Sequence, residues 1–541
     1  MRFHAGRWSG VAAVVASLAV ARAGAAQSPP SDGGVFRLFQ GAAEIGRETF
    51  SDDGTTQRST VLIPLINLKL VTVETRAGGR AQRIEMRAYN LRTDSLLRTY
   101  TASARGDSVD VELAPSAGEP RRWTRAGTPD EFAAEQSVAS LAWLVQQSHG
   151  ADHEYRVWLP SADSTLPYGI AFHGDSAELR LGPQALVATL GSDGKVRTVA
   201  LRVGNVRFER WAGGDSLPPL RGEVRPTPDY GAPPGAPYTA DAVRVPVRPA
   251  AGDTFSLGCT LTRPIAGGPR FPAAITLTGS GLQDRDENLW PLVPEYRLFR
   301  QVADALGREG IAVLRCDDRS FGASGGRADS ATMLDFAGDA RAQIAWLRAR
   351  SDIDGARIAV IGHSEGGIVG PMVAAADPRV AAVVVMAGTA KPMAAVIRDQ
   401  FLYPVESATG LTPEERDSAR ARALRDADAF MSRPIPWLEQ ARDYDPLVTA
   451  RRVRQPVLIV QGAVDRQVSA GQADTLAAAM RAAGNRQVTV RVFPGLNHLF
   501  LVSPSGTGST SEYAQLTDVA VSRNVIDTIG VWLHRVLGVG R

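Results

Sequence analysis

Two patterns of apolar spacing divide the chain. From about residue 34 to 212, apolar and polar positions alternate in short runs such as "GVFRLFQ", "QRIEMRAYN", "SVDVELA" and "HEYRVWLP". A period of two between turn segments such as "SDGK" puts successive side chains on opposite faces of a strand and predicts antiparallel sheet. The runs "STVLIPLINLKLVTVETRA", "AELRLG" and "KVRTVALRVGNVRFERW" continue the pattern, and one helix is expected around "EFAAEQSVASLAWLVQQ". No fixed repeat is visible, and a segment of roughly 180 residues is too short for a large propeller. A curled sheet of unassigned role is the reading.

Periodicity then vanishes in "DSLPPLRGEVRPTPDYGAPPGAPYTAD", where proline and glycine are dense. Residues 216–237 are therefore expected to link a β-rich domain at 28–215 to a second domain at 238–541. There, apolar runs ("SLGCTLT", "AAITLTG", "IAVLRCD", "RIAVIG", "VAAVVVMAG") alternate with helical stretches such as "EYRLFRQVADALGREG" and "MLDFAGDARAQIAWLRAR". The alternation resumes with "PVLIVQG", "AGQADTLAAAMRAAG", "VTVRVFPG" and "VIDTIGVWLHRVLG". It predicts an α/β fold, a mostly parallel doubly wound sheet with helices on both faces. The interruption, about 390–450, has no strand pattern and reads as a helical cap over the C-terminal edge of the sheet, where open α/β folds bind ligands.

Composition narrows the class. With 541 residues, 44% hydrophobic and 22% charged, the chain is globular and large enough for two or three domains. Sixty Lys plus Arg against 57 Asp plus Glu give +3, scattered without a basic block, so no nucleic-acid partner is expected. The start combines basic "MRFHAGRW", apolar "VAAVVASLAVA" and small-residue "AGAAQ", which reads as a signal peptide over 1–27 and predicts export to the periplasm or beyond. Its apolar core is shorter than the roughly 20 residues of a membrane-spanning helix, and no later stretch has the pattern of a span. Two cysteines, Cys259 and Cys316, are too few for a metal cluster or a disulfide scaffold. Were they on neighbouring strands, an exported protein could join them. Oligomeric state has no signature in the sequence.

Candidate chemistry centres on "IAVIGHSEGGIVG", residues 358–370. Glycines at 362 and 366 flank Ser364 where an apolar run must turn sharply into a helix, the nucleophile-elbow pattern G-x-S-x-G. A serine hydroxyl needs an imidazole to take its proton and a carboxylate to orient that imidazole. Asp465, just past the run in "PVLIVQGAVDRQV", is the candidate acid, and His498, past "VTVRVFPG", the candidate base. The chain order Ser364, Asp465, His498 is that of an α/β-hydrolase.

With these motifs, together with "LTGSGLQDRDE", "RCDDRSFGASGG" and "GLNHLF", residues 240–541 resemble the α/β-hydrolase superfamily, more narrowly its bacterial exported esterase and serine aminopeptidase-like branch. The resemblance implies an oxyanion hole built from the backbone N–H of Glu365 and one from the loop Thr278-Gly279-Ser280-Gly281, Ser280 first and Gly281 as alternative. Relatives often read His-Gly-x-Gly there, so the bracing of this loop is open, and they commonly carry glycine in place of Ser320. Asp318 and Arg319 are expected to brace loops, and Asp284 to Glu287 to form a hydrogen-bonded scaffold. Phe401, Tyr403, Phe430 and Trp437 fit either a cap core or a pocket lining. The implied function is a cofactor-free and metal-free serine hydrolase acting on a small carboxylic ester. The alternatives are an aminopeptidase or dipeptidyl-peptidase-like amide hydrolase acting on short peptides, and a non-catalytic envelope-binding protein. A peptidase would need a carboxylate for the substrate amine, for which the cap offers Glu406, Glu414, Glu415 and Glu439.

Overall fold

The computed structural model describes residues 32–539 except 41–42, 65–66, 92–93, 117, 135–136, 161–162, 182–183, 202–205, 214–216, 221–226, 250–251 and 291. The segment 1–27 and part of the 216–237 linker thus lie outside the described residues. The chain divides into two compact units: one holds the N-terminal sheet together with Pro404–Ala423, the other Pro226–Tyr403 and Leu424–Arg541. Among the described residues no helix is long and apolar enough to cross a membrane.

In the first unit, fifteen strands among the described residues form a single sheet. Its neighbours pair antiparallel, except that Glu131–Phe132 runs parallel to His153–Leu159. Strand Leu68–Ala77 buries every second residue, and the buried set passes from Leu68 and Leu70 to Thr72, Glu74 and Arg76. The period of two is the expected one; the charged end of the inward face is not. The run "STVLIPLINLKLVTVETRA" is two strands, Thr56–Ile63 and Leu68–Ala77. The helix expected over 131–147 occupies only Ala139–Gln147, because Glu131 and Phe132 are drawn into the sheet. The helix starts where the carboxylate of Glu48, 90 residues away, accepts the N–H groups of Val138 (2.6 Å) and Ala139 (3.1 Å). Such a charge at the first turn satisfies donors that no helix can satisfy itself. The sheet curls far enough for Ala81 N–H to donate to Asp130 O at 3.0 Å and Trp158 Nε1–H to Tyr100 Oη at 2.7 Å.

The second unit is built on β1 (Tyr238–Val247), β2 (Phe255–Pro264), β3 (Phe271–Leu277), β4 (Ala312–Cys316), β5 (Ile353–His363), β6 (Ala382–Met386), β7 (Val457–Gly462) and β8 (Val488–Phe493). Their order across the sheet is β1-β2-β4-β3-β5-β6-β7-β8. β2 is antiparallel to both β1 and β4, and every other pairing is parallel. Alternate residues of β5 serve two cores. Ile358 and Val360 face α2 (Met333–Arg348) and α3 (Gly366–Ala376), whereas Ala359 and Ile361 face α1 (Leu298–Arg308) and the C-terminal helix Arg523–Val536. Burial on both faces is why these strands read as unbroken apolar runs. Cys259 on β2 lies opposite Cys316 at the end of β4, and the two are disulfide-bonded. Between β6 and β7 the expected helical insertion consists of α4 (Met393–Glu406), α5 (Pro413–Met431), α6 (Pro436–Asp443) and α7 (Pro446–Ala450).

Candidate active site

Ser364 follows the last residue of β5 and precedes α3 by one residue, with φ at 53°, the left-handed region that a serine rarely enters. Its neighbours explain the turn. A Cβ on Gly362 would lie 1.9 Å from Gly366 O, and one on Gly366 would lie 2.1 Å from Leu277 O, so no side chain fits at either position. The corner is held by Ser364 N–H donating to Met386 O (2.8 Å) and Gly366 N–H to Thr278 O (3.0 Å). A strained serine at a helix N-terminus presents its hydroxyl outward and places backbone N–H groups beside it.

Asp465 stands in the turn after β7 and His498 in the loop after β8. Asp465 Oδ1 accepts the N–H groups of Gln467 (2.8 Å) and Val468 (2.9 Å). Its Oδ2 accepts Gln461 Nε2–H (2.7 Å) and His498 Nδ1–H (2.8 Å). Both side chains of the pair are buried. With Nδ1 committed to the carboxylate, Nε2 is the nitrogen left to act as a base. His498 is tied to the elbow through its main chain: its carbonyl accepts His363 Nε2–H at 3.0 Å, and the two rings lie 4.9 Å apart. His498 thus sits against the residue that precedes Ser364.

The loop Thr278–Gly281 after β3 passes directly over the elbow, a Cβ on Gly279 falling 3.3 Å from Ser364 Cβ. Carboxylates brace it in place of the histidine its relatives often carry. Thr278 Oγ1–H donates to Asp318 (2.9 Å), Gln283 N–H to Asp318 Oδ2 (2.9 Å) and Gly279 N–H to Glu287 Oε1 (3.3 Å). Burial pushes the Asp318 carboxyl well above the usual carboxylate range, and the nearby Glu365 and Glu287 add to it. Arg319 forms a two-pronged pair with Asp339 on α2, both contacts at 2.8 Å. Ser320 has φ at 65°, which is why glycine is the easier residue there.

The scaffold expected at Asp284–Glu287 forms. Asp284 accepts the N–H groups of Asp286 and Asn288, Arg285 pairs with Asp317 (2.7 Å), and Asp286 pairs with Arg297 (2.8 Å) and with Arg315. Glu287 joins the scaffold through Gly279 and also bonds His363, a partnership that no spacing between the two motifs foreshadows.

Glu365 contributes more than its N–H. Its carboxyl is 6% exposed and accepts Trp437 Nε1–H from α6. Burial pushes it up to about 7 against the opposing hydrogen bonds of Trp437 and Ser280. A pocket beside the elbow is lined by Glu365, Asp318, Gln343, Phe336, Val369 and Leu257. Of the cap aromatics, Phe401 packs on Phe430 with ring centroids 6.2 Å apart, while Trp437 reaches the site. Glu406 pairs with Arg420 (2.7 Å), and Glu415 closes a capping box with Thr412, so both acids are engaged within the cap. Among the described residues no group of three or more His, Cys, Asp or Glu side chains is arranged to hold a metal ion.

Comparison with known proteins adds the following. The family pattern of the X-Pro dipeptidyl-peptidase (S15 family) matches residues 253–500. Esterase EstD of Thermotoga maritima is 29% identical over 280 residues, which are 50% of this chain and 64% of that protein. An uncharacterised protein of Mycobacterium tuberculosis is 30% identical over 202 residues, 37% of this chain and 57% of its own length. The chain therefore spans less than two thirds of the length of these relatives. Among solved structures, an esterase of Pyrococcus furiosus superimposes with a TM-score of 0.39 at 16% identity, over 58% of this chain and 97% of that one. Est1E of Butyrivibrio proteoclasticus does so with a TM-score of 0.35 at 16% identity, over 55% of this chain and 100% of its own.

Proposed function

We propose that the chain is a serine hydrolase of the α/β-hydrolase type, cleaving small carboxylic esters through an acyl-enzyme on Ser364. The observation that carries the reading is the buried His498–Asp465 pair, held against the residue next to a serine in left-handed conformation. Ser364 Oγ attacks the ester carbon while its proton passes to His498 Nε2, and Asp465 steadies the imidazolium that forms. The N–H groups of Glu365 and of Ser280, or of Gly281 in its place, receive the oxyanion. Collapse expels the alcohol, which takes the proton back from His498. Water, deprotonated by the same nitrogen, then releases the acid and frees the serine.

Ester substrates are supported by the esterase relative of Thermotoga maritima. Peptide substrates form a second reading, supported by the family match over 253–500 and by the Glu365 carboxyl beside the elbow, a group able to hold an amine. Export is part of the proposal. It is supported by the 1–27 pattern and by the Cys259–Cys316 disulfide, which persists in oxidising compartments.

The test is labelling of the whole protein by a fluorophosphonate probe. Wild type is expected to be modified at Ser364, and Ser364→Ala to escape labelling and lose turnover with its melting temperature nearly unchanged. An unlabelled wild type supports the envelope-binding alternative instead. A panel of p-nitrophenyl esters beside aminoacyl- and dipeptidyl-anilides then separates ester from peptide cleavage.

A further inference from the structure

The mechanism above leaves one buried pair unused. His363 is 2% exposed, and both of its ring nitrogens face acceptors. Nδ1 lies 2.5 Å from Glu287 Oε1 and Nε2 lies 3.0 Å from the carbonyl oxygen of His498. A neutral imidazole carries one N–H and can satisfy only one of the two. A ring protonated on both nitrogens satisfies both and meets the carboxylate with its charge. The same Glu287 Oε1 also accepts Gly279 N–H from the loop over Ser364 (3.3 Å). One carboxylate oxygen therefore touches the oxyanion loop and the histidine that grips the base.

We propose that Glu287 and His363 form a carboxylate–imidazolium positioning pair for the serine chemistry, fixing the main chain of His498 on one side and the oxyanion loop on the other. The inference rests on the serine hydrolase reading. Other ionisable groups bear on the ring as well. His498 lies tilted against it at 4.9 Å with Asp465 bonded to His498, while Phe500 meets it edge-on at 6.0 Å without charge. Burial pushes the His363 pKa down, but the charge and hydrogen bond of Glu287, the His498 carbonyl and the more remote Asp465 together leave it raised. The pair moves no proton to or from substrate. It acts through His498 and through the loop, where a displacement of about 1 Å is enough to cost on the order of a hundredfold in rate.

Two measurements decide it. In [15N]histidine-labelled full-length protein at pH 8, where an isolated imidazole is neutral, His363 is expected to show both ring nitrogens protonated. Its signals are identified by their loss in His363→Gln. In Glu287→Gln the ring is expected to become neutral. Turnover of whichever p-nitrophenyl ester is cleaved should then fall about 10- to 100-fold in kcat, with KM within about twofold. Fluorophosphonate labelling of Ser364 should slow by the same factor yet reach completion. A neutral His363 in the wild type at pH 8 overturns the proposal, and so does a Glu287→Gln enzyme that labels and turns over at the wild-type rate. Should that variant fail to fold, the ring state of the wild type still decides. If the wild type takes no label at all, the serine hydrolase reading has failed, while the nitrogen signals report on the pair separately.

Discussion

In the N-terminal sheet, Asp52, Glu74 and Glu131 gather around the single guanidinium of Arg76, which bonds Asp52 and Glu131 at 2.9 Å each and lies on the ring of Trp143. In the catalytic unit, Asp318, Glu365 and Glu287 lie at the loop and elbow that surround Ser364. There, hydroxyl, indole, imidazole and backbone donors replace the arginine. The first arrangement ties strands far apart in the chain to one cation and accounts for the inward charges at the end of Leu68–Ala77. The second raises the carboxyls of Asp318 and Glu365 by burial beside the candidate nucleophile, a cost to the fold found where chemistry is done. Even the sheet has a remainder. Three carboxylates on one cation leave an excess of negative charge, and Glu74, the farthest from Arg76 at 3.4 Å, is pushed up to about 7 by burial against the pull of that cation.

The contrast can be broken at either end. The largest effect is expected in the catalytic unit: Asp465→Asn should lower kcat about 10⁴-fold by releasing the His498 tautomer, with little change in thermal stability. A harmless Asp465→Asn would place the acid elsewhere and reduce this carboxylate to another scaffold member. In the sheet, Arg76→Met should instead act on stability, lowering it by about 3–5 kcal/mol in denaturant titration because it strands buried carboxylates. No loss there would mean the cluster is wet and the comparison void. The smallest effect concerns Glu74. Its folded pKa of about 7 exceeds the ordinary value of 4.5. The folded chain therefore binds the extra proton, and stability falls as pH rises from about 4.5 through about 7. Glu74→Gln should accordingly stabilise the protein by on the order of 2 kcal/mol at pH 8 and by much less at pH 5. Equal melting curves at both pH values would show that Glu74 does not titrate in this range.

Several features were legible because they are local. The period of two in the first 200 residues and the apolar runs after residue 250 state which faces are buried, and burial is what shapes those strands. Ser364 could be read because the elbow excludes side chains at 362 and 366, a constraint written in five consecutive residues. Asp465 and His498 were findable by chain order alone, since each follows a strand. Other features were not legible. The 131–147 segment has helical spacing throughout, yet Glu131 is claimed by Arg76 and Phe132 by strand pairing, and propensity yields to tertiary contacts of that kind. The partnership of Glu287 with His363 joins residues 76 positions apart, and the Glu365 side chain meets a tryptophan 72 positions away. Neither distance leaves a trace in spacing.

By itself the sequence determined the alternation of strands and helices, the corner that presents Ser364 and the order in which its partners follow. These depend on backbone geometry and on which face of each element must avoid water. Tertiary structure alone decided which carboxylates pair, which stay nearly neutral and which histidine nitrogen faces which oxygen. Electrostatic interactions depend on separations of a few ångströms and on the exclusion of solvent, and both exist only once distant segments have packed together.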